Sequence, residues 1–168
     1  MFRYLNLPIL VCALAFLAGG VNAAQSISDH QARELAPAVA KVLLQRASTN
    51  ALLHDCGQRY PQLKLAAGHA TTHWLQANRQ VLGKTDSLRA RLLQSIKQNR
   101  SRFAAEKFGL DIELAVQQSV RHIEHALAAY PPQQQHALCN HLILSVNAGD
   151  WDVQHKQAEA FAIVQSYH

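Results

Sequence analysis

The chain has 168 residues, of which 49% are apolar, and its formal net charge is +5 at pH 7. This length corresponds to one domain that can bury a real core. The sequence contains no low-complexity tract and no repeat, and it has only seven glycines and five prolines. Valine, isoleucine and threonine never form alternating runs, so the pattern does not indicate strands.

The first segment has the pattern of an export signal. Arg3 gives a basic start, an uncharged apolar run follows over residues 7–18, and Val21-Asn22-Ala23 matches a small-residue cleavage site. We expect cleavage after Ala23, with cleavage after Ala24 as the alternative.

The apolar run of about a dozen residues is shorter than the roughly 20 residues that a membrane-spanning helix needs. No later segment is apolar enough to span a membrane, and an uncleaved anchor is the weaker alternative. The sequence therefore predicts a signal peptide over 1–23, a helical domain over 24–168 without a transmembrane segment, and a periplasmic or secreted location.

Removal of the signal leaves two of the three cysteines. Cys12 lies in the signal, whereas Cys56 and Cys139 remain in the mature chain. Oxidising compartments form and keep disulfides, so we expect these two to pair, with two free buried thiols as the alternative. Closing so long a loop stabilises the fold by at most about 4 kcal/mol in the chain-entropy model.

Apolar residues recur at steps of three and four along the mature chain, which predicts amphipathic helices. Ser28 and Gln31 have the spacing of a capping box and mark the start of the first helix. Pro37 either kinks this helix or restarts it, and Ser48-Thr49-Asn50 is read as a break. The helices are predicted over 28–47, 51–60, 61–82, about 86–109, 111–130, 132–146 and 150–164.

Glycines mark three of the predicted helix ends, at Gly83, Gly109 and Gly149, and Asp150 is expected to cap the last helix. Both mature cysteines fall on apolar faces, as a disulfide through a helical core requires. The predicted fold is all-α, a single-domain bundle of six or seven helices with one disulfide. The clearest apolar stripe lies on the fifth predicted long segment and comprises Ile112, Val116, Val120, Ile123, Leu127 and Tyr130.

Ten histidines are an unusual load for a small chain. His69 and His73 are four residues apart and are expected to flank the apolar stripe next to Trp74. His122 and His125 are three apart and are expected to point away from the core. Either pair could give two nitrogens to a divalent transition metal, and His69 and His73 are the first choice. Ordinary surface histidines are the alternative, because neither pair has the glutamate of a zinc-protease helix.

The histidines also permit an acid-responsive role, because the reference pKa of histidine is near 6.5 and acidification would add positive charge to a basic chain. The stretch from residue 84 to residue 107 is itself basic. Outside the cytoplasm it could meet lipid phosphates, acidic glycans or an acidic protein, although its charges are scattered and a solvated face is the alternative. The candidate residues for an anionic partner are Arg89, Arg91, Lys97, Arg100 and Arg102.

The sequence lacks the G-x-S-x-G, C-x-x-C, H-E-x-x-H and glycine-rich phosphate-loop motifs. We therefore expect no catalytic residues and no cofactor, and the compartment disfavours nucleic acid as a partner. The predicted function is a non-catalytic periplasmic or secreted helical protein that binds an envelope or secreted partner protein. Chaperone, inhibitor, immunity and assembly-accessory roles all fit. The alternative is a metal-binding or acid-responsive envelope protein that uses its surface histidines.

Overall fold

Seven helices account for nearly all of residues 27–167, the part of the chain that this computed structural model describes. The predicted all-α class and the predicted number of helices are confirmed, whereas the predicted signal peptide lies outside the described residues. The helices are α1 (Asp29–Arg59), α2 (Lys64–Ala77), α3 (Arg79–Asn99), α4 (Arg102–Ala128), α5 (Pro132–Asn147), α6 (Val153–Lys156) and α7 (Ala158–Ser166), with a short 3-10 turn (Pro61–Leu63) before α2.

The first helix is longer than predicted. Its capping box is present, since the Gln31 backbone N–H donates to Ser28 Oγ at 3.3 Å and the Ser28 N–H donates to Gln31 Oε1 at 2.9 Å. The predicted break at residues 48–50 is wrong, because these residues continue α1. Gln45 Nε2 donates to the buried Thr49 Oγ1 at 3.2 Å, and Ser48 Oγ lies 3.2 Å from Ser119 Oγ of α4. Ser48 and Thr49 usually favour turns, but here their hydroxyl groups have partners within the packed helices, so the helix continues.

Two of the predicted glycine stops are also wrong, because Gly83 lies within α3 and Gly109 within α4. The chain breaks instead at Asn78 and again before α4, where Ser101 Oγ accepts from the Ala104 N–H at 3.0 Å. Gly149 follows α5 with a φ of +84°, as its predicted role requires. The last predicted helix begins at Val153 and not near residue 150, and it is divided into α6 and α7.

The core is centred on α1, which packs against α2, α3, α4, α5 and α7. Trp74 of α2 is fully buried within this core. Consecutive helices α4 and α5 both pack on α1, but α4 also packs on α3 whereas α5 also packs on α2. This divergence leaves a groove between them. The buried side chains that α1, α3 and α7 contribute include Leu35, Val39, Val42, Leu53, Leu88, Leu92 and Val164.

The predicted disulfide joins Cys56 of α1 to Cys139 of α5, with a Sγ–Sγ distance of 2.01 Å. Both residues are buried, so the bond fastens α5 to the central helix from within the core. None of the helices between residues 27 and 167 combines the length and apolarity that crossing a membrane demands.

Candidate functional site

The groove between α4 and α5 has a volume of about 620 Å³ and is lined mainly by apolar side chains. Leu52 and Cys56 of α1 contribute to it between the two helical walls. We call it the α4–α5 groove, and its remaining lining residues are Ile123, Ala126, Leu127, Tyr130, Leu138, Cys139, His141, Leu142, Ser145, Asp150, Trp151 and Lys156.

The α4 wall is the end of the apolar stripe that the sequence predicted. Near the start of that stripe Ile112 is buried, and near its end Leu127 is 8% exposed. Ile123 is half-buried, and Tyr130 at the end is 49% exposed. The last turns of the stripe therefore contribute both to the core, through the buried Leu127, and to the groove, through Ile123 and Tyr130.

The turn that joins α4 to α5 closes one end of the groove. The buried Gln135 side chain donates from Nε2 to the Tyr130 carbonyl at 2.5 Å. Tyr60, at the end of α1, donates its hydroxyl proton to the Pro132 carbonyl at 2.9 Å, and its ring makes an edge contact with His136 at 5.0 Å between centroids. These contacts fix the turn to the central helix.

Trp151 lies at the other end, on the segment that follows α5. Its carbonyl oxygen accepts from Trp74 Nε1 at 2.8 Å and from Gln45 Nε2 at 3.4 Å. The Lys156 ammonium lies 5.1 Å from the centroid of the Trp151 ring, which is a cation–π distance. This end of the groove therefore presents an aromatic ring that the protein holds in place, with a positive charge beside it.

Asn78 positions this segment, and sequence reasoning missed it. Its Nδ2 donates to Asp152 Oδ1 at 2.9 Å, and its Oδ1 accepts from the Val153 N–H at 2.9 Å. The residue is only 4% exposed. The available signal was its place four residues after Trp74, which extends the apolar stripe of α2 to a polar residue.

The charged groups near the groove include both signs. Lys156 and Asp150 line it directly. Close to the turn, Arg59 Nε donates to Asp55 Oδ2 at 2.6 Å, and this hydrogen bond raises the pKa of Arg59. Arg59 therefore stays a cation at every physiological pH.

No protein-family model matches the chain, and no curated protein and no solved structure shows significant similarity to it.

The two histidines that were the first choice for a metal lie on the surface of α2. His69 and His73 are both exposed, beside a buried face formed by Ala67, Ala70 and Trp74. Within residues 27–167, histidine, cysteine, aspartate and glutamate form no cluster of three or more that could hold a metal ion. A metal role for His69 and His73 stays a prediction that rests on two ligands.

The five basic candidates do not form a single patch. Arg89, Lys97 and Arg102 line a shallow groove of about 820 Å³ between α3 and α4, together with Leu110. Arg100 is exposed at the end of α3. Arg91 lies one heptad after Lys84, on the other flank of α3. That flank faces α7, where Lys84 Nζ donates to the Gln165 carbonyl at 2.7 Å.

Proposed function

We propose that this chain is a non-catalytic helical binding protein of the periplasm or extracellular space. It holds an apolar segment of an envelope or secreted partner protein in the α4–α5 groove. The observation that carries the proposal is this groove, which is lined by aliphatic and aromatic side chains, some belonging to the core and others exposed. Rimmed apolar surfaces of this kind mark interaction sites.

An amphipathic helix is the occupant that the walls fit. Both walls are themselves helices whose apolar side chains recur at steps of three and four, so a third helix can place its own ridge between them. Tyr130, in the turn after α4, is 49% exposed, and Leu138, on the α5 wall, is 40% exposed. Aromatic and aliphatic anchors of this type contribute most of the binding energy in helix-in-groove complexes.

The Cys56–Cys139 disulfide supports both the compartment and the rigidity of the groove. Both cysteines line the groove, and disulfides persist in oxidising compartments. A groove wall that is covalently fixed loses less conformational entropy when a partner binds. Chaperone, inhibitor, immunity and assembly-accessory roles all use such a preformed surface.

Site-specific cross-linking tests the proposal. A photo-reactive amino acid at position 138 is expected to form one dominant adduct with an envelope or secreted protein, mapped to an apolar helical peptide of that protein. Position 144 provides the matched control, because Leu144 is on the same helix and 64% exposed but does not line the groove.

A substitution gives the second arm of this test. Leu138→Glu is expected to weaken partner binding at least tenfold, while Leu144→Glu leaves it unchanged, since only the former puts a charge into the groove. Both variants should keep their stability to within about 0.5 kcal/mol, because both sites are exposed. No adduct at position 138, or equal adducts at both positions, would contradict the proposal.

A further inference from the structure

A second apolar feature lies on the outer surface of α4, away from the α4–α5 groove. Phe103, Leu110 and Leu114 are 74%, 57% and 50% exposed. They are seven and four residues apart, so they form one stripe along the helix. The buried residues Ala105 and Ile112 define the inner face of the same part of α4. We call these three residues the outer stripe of α4, and in the described part of the chain no helix is packed over them.

Basic residues border this stripe. Leu110 lines the same shallow groove as Lys97 and Arg102, and Arg100 lies in the connection between α3 and α4. Apolar side chains and cations therefore share one surface at the start of α4.

Each carboxylate on this surface already has a cationic partner. Glu106 pairs with Arg102 at 2.7 Å, and Glu113 pairs with Arg89 at 3.3 Å. The third carboxylate pairs with the residue one turn before it, since Lys107 Nζ lies 2.8 Å from Asp111 Oδ2.

Lys97 and Arg100 form no ion pair with any residue between 27 and 167. The surface thus has two cations in excess, and they are free to meet phosphates.

We propose that this face binds the surface of an anionic phospholipid bilayer. Helix α4 lies flat at the interface, the outer stripe inserts among the acyl chains just below the headgroups, and Lys97 and Arg100 contact lipid phosphates. Exposed apolar residues on one side of a helix, with lysine and arginine beside them, are the pattern of an interfacial helix.

Vesicle co-sedimentation of the exported, purified protein tests the proposal. We expect binding to vesicles of phosphatidylglycerol and phosphatidylethanolamine, about tenfold or more weaker binding to phosphatidylcholine, and weaker binding at high salt. The triple variant F103S/L110S/L114S and the double variant K97Q/R100Q should each bind at least about tenfold more weakly. The matched control is L65S/L144S, which changes two equally exposed leucines on α2 and α5 and should bind like the unchanged protein.

A fluorescence measurement guards against misfolding of the triple variant. Phe103→Trp keeps an aromatic residue at the stripe, and its emission should shift to the blue when anionic vesicles are added. The proposal is overturned by absent binding to anionic vesicles, equal binding to phosphatidylcholine, undiminished binding of the stripe variant, an equal loss in the control, or no shift at position 103.

The two proposals fail separately. Leu138→Glu should lose the partner of the α4–α5 groove and keep vesicle binding, and the stripe variant should behave in the opposite way. If the stripe variant lost an acidic protein partner while the unchanged protein ignored vesicles, the lipid proposal would be wrong.

Discussion

Single polar side chains hold together parts of this protein that are far apart in sequence. Asn78 is the clearest example, because its amide contacts three groups at 2.9 Å: the Trp74 carbonyl, the Asp152 carboxylate and the Val153 backbone N–H. The last two belong to the segment that places Trp151 at the end of the groove.

Replacing this amide tests its contribution. We expect Asn78→Leu to lower the free energy of unfolding by about 2 kcal/mol, since the buried Val153 N–H loses its partner without access to water and Asp152 loses a hydrogen bond. Urea denaturation measures the change. Asn140→Leu is the control, because Asn140 is exposed on α5, and it should shift stability by less than about 0.5 kcal/mol. An equal loss of unfolding free energy in the two variants would show that Asn78 does not hold this segment in place.

At the scale of the helices, a glycine marks the end of a helix only where its backbone has a positive φ. Gly83 is exposed within α3, and a Cβ built on it would meet nothing within 4 Å. Gly149 has a φ of +84°, and its Cβ would lie 3.3 Å from Asp152 Oδ2.

The two glycines should therefore respond in opposite directions to the same change. Gly83→Ala is expected to raise the free energy of unfolding by about 0.5–1 kcal/mol, because alanine restricts the unfolded chain and favours a helix. Gly149→Ala is expected to lower it by about 1 kcal/mol or more, since alanine is strained at this φ. Thermal unfolding of both variants measures the two signs, and a destabilised Gly83→Ala would mean that the helix end was predicted correctly at this glycine.

The groove itself depends on how α4 and α5 diverge. Tyr60 ties their turn to α1, and beyond the turn both helices pack on α1, while α4 also packs on α3 and α5 also packs on α2. The groove results from this difference in packing. Its apolar lining results from the apolar stripes of α4 and α5, which continue beyond their buried residues.

For the whole molecule, the disulfide connects the first helix to the fifth across 83 positions in sequence. Closing a loop of this size is worth about 4 kcal/mol at most. Because Cys56 and Cys139 both line the α4–α5 groove, the bond also fixes the α5 wall relative to α1.

Removing the disulfide should weaken both the fold and the groove. We expect C56S/C139S to lose about 2–4 kcal/mol of unfolding free energy, and cross-linking at position 138 to fall. Urea denaturation and the photo-cross-linking yield measure the two effects. The unchanged protein treated with reductant should behave in the same way. A loss below about 1 kcal/mol would mean that packing alone holds α5 in place.

The sequence by itself determined the helical class, the capping box at Ser28 and Gln31, the turn at Gly149 and the cysteine pair. These follow from the spacing of a few residues or, for the cysteines, from the predicted removal of Cys12, which leaves two; neither needs knowledge of distant contacts. The export signal and the metal role of His69 and His73 remain predictions.

Tertiary structure alone decided where α1 ends, where α3 begins and ends, and where the groove lies. Thr49 and Ser48 stay helical because they find partners in Gln45 and, across to α4, in Ser119. Asn78 is buried and holds two segments together because it donates a hydrogen bond to Asp152, which lies 74 positions further along the chain. Local propensity contains no information about such partners. The sequence therefore predicted the helices, but not their packing or the groove between α4 and α5.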